Sequence, residues 1–241
     1  MRWRVRLLAF PAVMGVTFCA LGSAVPLLTA NRFDGLLLDW DNVLLGTTPA
    51  VSYQTWSRPW LKYVLMLGYL FFFIQLVVVP GLYCVRDLPR FRQCIVGMLS
   101  IYGVGFLSYT LLPAGGPHRW MVFDVPLSGI GVLPLTLDLV NAGSNGVDVF
   151  PSLHVAVSLY LLVFDWWHAR PRFWIVFLPC VLLWFSTVLL RFHYFVDVIG
   201  GLVLAALGLV VAALGLVVAA LGLVVAARFA KGPETRDRRQ G

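Results

Sequence analysis

Three side chains have the types and spacing of a reactive centre: His154, His193 and Asp197. Each histidine stands where a long apolar stretch begins, in Pro151-Ser152-Leu153-His154 and in His193-Tyr194-Phe195-Val196-Asp197-Val198-Ile199-Gly200-Gly201. The carboxylate follows His193 by four residues, so on a helix the two would share one face. A carboxylate beside an imidazole holds one ring nitrogen protonated and leaves a lone pair on the other, as a nucleophile and its orienter require. Paired histidines on apolar helices also suit haem iron, but Asp197 would then have no task.

The elements that must position these groups are membrane spans. The chain has 241 residues, 60% hydrophobic and 12% charged, which is too apolar for an ordinary soluble domain. Its formal net charge of +7 falls in short clusters between apolar runs, the pattern that orients helices in a bilayer, so no nucleic-acid partner is expected. Cys19, Cys84, Cys94 and Cys180 are scattered, without metal or redox spacing. The expected fold is all-α, a polytopic membrane bundle of about six transmembrane helices forming a single domain over residues 1–230, with a basic tail at 231–241.

Arg2, Arg4 and Arg6 precede an apolar run from residue 7 to about 30. Small residues near its end would suit a signal peptide, but the run reaches the roughly 20 residues of a bilayer span, so an uncleaved first span is expected. Residues 31–60 alternate Asp34, Asp39 and Asp41 with Leu and Trp and read as a segment lying along the membrane interface. Further spans are expected at 61–83, 94–112, 151–167 and 173–190, and a sixth after Asp197. The interval 113–150, rich in Gly, Pro and Asn, is long enough to be functional or mobile. Arg2/Arg4/Arg6, Arg86/Arg90/Arg92, Arg170/Arg172 and the tail alternate onto one side, which the positive-inside rule makes cytoplasmic. Both motif histidines and the 113–150 loop fall on the other side. The expected location is a bacterial plasma membrane, with both termini cytoplasmic. The last span carries Leu-Gly-Leu-Val-Val-Ala-Ala at Leu207, Leu214 and Leu221, read as a lengthened helix with no chemistry of its own.

Pro-Ser-Leu-His at 151–154 and His-Tyr-x-x-Asp-x-x-Gly at 193–200 resemble the second and third signature motifs of the type 2 phosphatidic acid phosphatase superfamily. That resemblance implies a phosphatidic acid phosphatase type 2 / haloperoxidase-like core. Ser186-Thr187 stand seven and six residues before His193, as in the branch containing inositol phosphorylceramide synthases, whereas the ordinary phosphatases have Ser-Arg. The resemblance gives His193 the role of nucleophile, with a covalent phosphohistidine. His154 is then the general acid that protonates the departing alkoxide, and Asp197 the orienter.

Phosphate must also be gripped. Ser152 and the free amides opening the helix behind Pro151 offer an anion site. The superfamily's first motif, Lys followed seven residues later by Arg-Pro, has no counterpart; Lys62 and Lys231 are badly placed, and Arg58-Pro59 reads as an interfacial arginine. The nearest substitute is Gly116-Pro117-His118-Arg119-Trp120, where Arg119 is the first choice for a phosphate oxygen and His118 its neighbour, unless Arg119 and Trp120 merely mark the bilayer interface. Arg191 is the second choice, although on a helix it would point about 160° from His193.

The expected function is a membrane lipid phosphotransferase of the inositolphosphotransferase-like kind, working through a histidine nucleophile on a membrane lipid, with a lipid or polyol hydroxyl as acceptor. Water as acceptor would make it a lipid phosphate phosphatase. A non-enzymatic scaffold is the alternative of another class. No metal or cofactor is called for, since a histidine nucleophile does not require one and no carboxylate cluster suits Mg²⁺.

Overall fold

The computed structural model of the protein describes residues 2–125, 127 and 132–230. The basic tail at 231–241 lies outside the described residues. Helices follow one another as α1 (Arg2–Leu28), α2 (Asp34–Leu45), α3 (Pro49–Trp56), α4 (Pro59–Arg86), α5 (Leu88–Leu111), α6 (Pro117–Trp120), α7 (Val132–Gly143), α8 (Leu153–His168), α9 (Arg170–Leu189) and α10 (Phe195–Ala230). The punctuation is local. Proline opens α3, α4, α5, α6 and α9, where its missing N–H loses no helical bond. Gly46 ends α2 in the left-handed conformation, and Asp87 caps α5 by accepting the Arg90 amide.

Among the described residues, five helices are long and apolar enough to cross a membrane: Ala9–Leu28, Pro59–Arg86, Leu88–Leu111, Arg170–Leu189 and Phe195–Gly215. The remaining expected span, α8, has 16 residues, about 24 Å at 1.5 Å per residue and short of a roughly 30 Å hydrocarbon core. It can be short because it is the bundle's centre, packed against α4, α5, α9 and α10. The outward faces of its neighbours carry exposed Val77, Val85, Ile175 and Val203, a surface suited to lipid rather than water.

Polar groups inside the bundle are tied off. Gln75 donates to the Ser158 carbonyl and Trp184 Nε1 donates to Ser158 Oγ, stitching α4, α8 and α9 together. At the end opposite the motif histidines, Arg172 grips buried Asp165 through two nitrogens while Tyr83 donates to the same carboxylate. This clasp locks α4, α8 and α9 at their arginine-rich end, and full hydrogen bonding is what makes a buried charge tolerable there.

One expectation changes in physical detail, and the expected lengthened last helix is found. Residues 31–60 do not simply lie on the interface: α2 turns Asp34, Leu37 and Asp41 inward, all fully or almost fully buried, and leaves Trp40, Val43 and Leu44 outside. The final helix spans 36 residues, about 54 Å, so it exceeds the bilayer. Within its repeat Gly208 packs on Ile101 and the Gly97 carbonyl of α5, whereas Gly215 faces open space.

Candidate active site

His154 lies in the first turn of α8 and His193 in the turn joining α9 to α10. The helix starts only at Phe195, so His193 and Asp197 do not share a helical face as expected from their spacing. The turn brings them together instead: His193 Nδ1 lies 3.3 Å from Asp197 Oδ2 and 3.1 Å from the Val149 carbonyl. Two acceptors at Nδ1 mean that this nitrogen carries the proton, leaving the lone pair on Nε2. That lone pair faces His154 Nδ1 at 3.4 Å. Tyr69 and Phe72 of α4 flank the His154 ring, with centroids 4.9 and 4.5 Å away.

The turn is built tightly. The Thr187 carbonyl accepts the amides of Phe192 and His193 at 3.0 and 2.8 Å, and Asp197 Oδ2 accepts the Tyr194 amide at 2.8 Å. The Asp197 carbonyl in turn accepts the Ser152 amide at 3.0 Å, so the two motifs are joined through their backbones. The second oxygen of Asp197 has no partner among the described residues. Ser186 and Thr187 direct their hydroxyls to the Leu183 and Trp184 carbonyls, which leaves the Ser-Thr pair as a helix end rather than a phosphate contact.

Burial lowers His193 from the ordinary histidine value to about 4, with Asp148 and the Val149 carbonyl drawing it partly back. The imidazole is thus neutral near pH 7, as a nucleophile must be. Asp148 is a group that the motifs did not reveal. Ser144 Oγ and the Gly146 amide hold one of its oxygens at 2.8 and 3.1 Å, and Ala114 bridges to it, closing the two ends of the 113–150 loop.

The remaining expected contacts divide. Ser152 is fully buried and caps α8, its Oγ accepting the Val155 amide at 3.4 Å. Its place is structural, with its amide already engaged. His118 reaches the catalytic turn, its amide bonded to the Arg191 carbonyl at 2.9 Å and its ring 5.8 Å from that of Phe192. Arg119 Nε donates to His118 Nε2 at 3.3 Å. Nε2 is therefore the acceptor and Nδ1 the N–H, and Nδ1 has no well-formed partner among the described residues. Burial, then the Arg119 charge, lower His118 to about 4, so this ring too is neutral. Arg119 is exposed, with long contacts of 3.4 and 3.5 Å from Nη2 to the Asn141 and Ser144 carbonyls. Arg191 escapes the helical geometry that would have turned it away, because it precedes α10 and adopts φ +70°. Its guanidinium lies over Phe123 and donates to the Val125 carbonyl, while Nε lacks a partner among the described residues.

Sequence reasoning also missed Asp34, Asp41 and Arg32. Asp34 accepts the Gly115 and Gly116 amides at 2.8–3.0 Å and the Tyr194 hydroxyl at 3.2 Å. Asp41 accepts the Phe195 and Val196 amides at 3.0 and 2.9 Å. Arg32 donates to the Gly146 carbonyl and approaches Asp34 at 3.8 Å. The available signal was the spacing 34, 37, 41, which places two acids and a leucine on one helical stripe. Gly116 allows the loop to lie so close: a Cβ there would be 2.5 Å from the Phe192 carbonyl, and its φ of +84° suits glycine.

The helical bundle brings two histidines face to face at one end, one of them against a buried carboxylate. Residues 36–211 match the family model of the PAP2 superfamily, and the chain belongs to that superfamily. Its chemistry is of the phosphatase or phosphotransferase type on lipid phosphates. No curated protein and no solved structure matches the chain significantly.

Proposed function

We propose that the protein is a membrane lipid phosphotransferase of the inositolphosphotransferase-like kind, with His193 as nucleophile, His154 as general acid and base, and Asp197 as orienter. The observation that carries this reading is the pair of acceptors on His193 Nδ1, which aims the Nε2 lone pair at the site shared with His154. In the first step Nε2 attacks phosphorus, the N–P bond forms and the bond to the leaving oxygen breaks, and that oxygen takes the proton from His154 Nδ1. The phosphate's charge stabilises the imidazolium form of His154 that this requires. In the second step His154 takes the proton of an acceptor hydroxyl, whose oxygen attacks phosphorus and returns the electron pair to Nε2.

His118 Nδ1–H, Arg119 and Arg191 hold the phosphate oxygens, because each ends on the side of the catalytic turn and each has a donor without a short bond of good geometry or one tied only to a loop carbonyl. Ser152 contributes by capping α8. The Ser-Thr pair, without the usual cation, favours transfer of a phospho-headgroup over hydrolysis of a monoester dianion. The clustering of Arg86, Arg90, Arg170 and Arg172 at the other end of the bundle supports an extracytoplasmic site and cytoplasmic termini.

The test is incubation of the purified protein in liposomes with phospholipids and lipid phosphates, with and without inositol, and product analysis by mass. A new phospho-headgroup lipid, absent with His193→Ala, is the expected product. Free phosphate alone would make the enzyme a phosphatase, and no product from any donor would overturn the reading.

A further inference from the structure

The helix α2 belongs to neither histidine motif, yet its inner face holds both halves of the site. Asp41 accepts the first two amides of α10 and the Thr48 hydroxyl at 2.7 Å, which makes it a cap contributed by a distant helix. Asp34, two turns earlier, accepts two amides of the Gly115-Gly116 loop and the hydroxyl of Tyr194, the residue after the nucleophile. Between them Leu37 packs with Ala114, Val149, Tyr194 and Val196 in a small core of its own. Val149 is the residue whose carbonyl fixes His193 Nδ1. Both carboxylates are fully buried, and a buried carboxylate is tolerated only where its acceptors are filled. Apart from the Thr48 and Tyr194 hydroxyls, these bonds run to backbone amides of the Gly115-Gly116 loop and of the α10 start, not to the bundle helices α4, α5, α8 or α9.

We infer that Asp41 and Asp34 are positioning residues, holding the turn of His193 and the loop of His118 and Arg119 in register so that His193 Nε2 stands opposite His154. Neither carboxylate touches the reacting atoms: Asp41 acts through the amides of Phe195 and Val196, and Asp34 through the glycine amides and Tyr194. An asparagine at 41 keeps one acceptor but presents an NH₂ group where a carboxylate oxygen accepted, so one backbone amide of α10 loses its partner. The exposed Asp39 on the same helix makes no such bond among the described residues. It separates loss of geometry from loss of negative charge.

The kinetic arm rests on the proposed phosphotransfer, and a chemical arm does not. In the full-length protein in detergent micelles, carbethoxylation of each histidine is followed by mass spectrometry, with His168 at the opposite end as the internal reference. Asp41→Asn is expected to raise the rate at buried His193 about threefold or more, with His168 unchanged, as the loosened turn opens. It is also expected to lower kcat for phosphotransfer by about tenfold with little change in KM, the effect of displacing a reacting atom by a fraction of an ångström. Asp39→Asn is expected to match wild type in both. An Asp41→Asn protein with wild-type His193 reactivity and kcat overturns the inference. Absence of product from wild type, with His193 still responding to Asp41→Asn, would sink the phosphotransfer and retain the positioning role. If Asp41→Asn does not fold, Thr48→Val, which removes only the hydroxyl on Asp41, decides by the same His193 readout: a rise supports the inference and an unchanged rate overturns it.

Discussion

His193 Nε2 and His154 Nδ1 lie 3.4 Å apart, in direct contact. An in-line transfer needs phosphorus and a leaving oxygen between nucleophile and acid, which takes more room than this. Substrate must part the rings. His193 is fixed by Asp197, Val149 and Thr187, whereas the His154 ring packs against those of Tyr69 and Phe72.

Replacing the two histidines should have unlike effects. His193→Ala removes the atom that bonds to phosphorus and should abolish turnover. His154→Ala removes only the proton donor, so it should slow alkoxide leaving groups by about 10²–10⁴-fold and activated aryl leaving groups far less. Rates for a series of leaving groups check this, and an equal loss across the series would remove His154 from the acid role.

The pH dependence follows from His193. The reactive form is neutral, and burial lowers its pKa to about 4, so His193 should contribute an acidic limb near 4, while the need for a protonated His154 puts the fall on the basic side. The profile of kcat/KM reports the free enzyme, and an acidic limb at the ordinary histidine value would contradict a buried, neutral nucleophile. The same shift acts on stability. The unfolded chain binds the proton first, so the contribution of His193 to stability is full above about 6.5 and is lost as pH falls toward about 4.

Much of this was legible in the sequence because the bilayer imposes simple patterns. Apolar runs gave the spans, and arginine clusters separated the two ends of the bundle, which alone put His154 and His193 together. The supporting residues were harder to see. Asp34 and Asp41 read as interfacial because nothing local distinguishes an acid facing water from one facing a backbone amide 154 residues away. Arg191 looked misdirected on the assumption of a continuous helix, and its left-handed backbone reversed that. That the short helix α8 lies at the centre of the bundle has no sequence signal either, since a central helix and a lipid-facing one are equally apolar.

Arg191 offers a separation of binding from folding. Its φ of +70° costs an arginine about 1 kcal/mol or more that glycine does not incur. Arg191→Gly should therefore be as thermally stable as wild type, although its stacking on Phe123 is lost, while KM for the lipid phosphate rises about tenfold, equivalent to about 1.4 kcal/mol. Arg191→Lys, which keeps charge but not the fork, should fall between. An unchanged KM in the glycine variant would remove Arg191 from the phosphate site.

The spacing of the two histidines depends finally on two helices meeting without side chains between them. A Cβ at Gly201 would stand 2.7 Å from the Ser152 carbonyl and 2.9 Å from Val155 Cβ, both rigid parts of the α8 start. The backbone there cannot yield locally, because the Ser152 amide is bonded to the Asp197 carbonyl. Gly201→Ala must then push α10 from α8, at about 1–3 kcal/mol of overpacking, and carry Asp197 and His193 away from His154. A shift near 1 Å is enough to cost about 10²-fold in kcat. Gly215→Ala on the same helix meets nothing within 4 Å and should leave both melting temperature and kcat at wild-type values. Wild-type kcat in Gly201→Ala would show that the α8–α10 contact does not set the distance between the histidines.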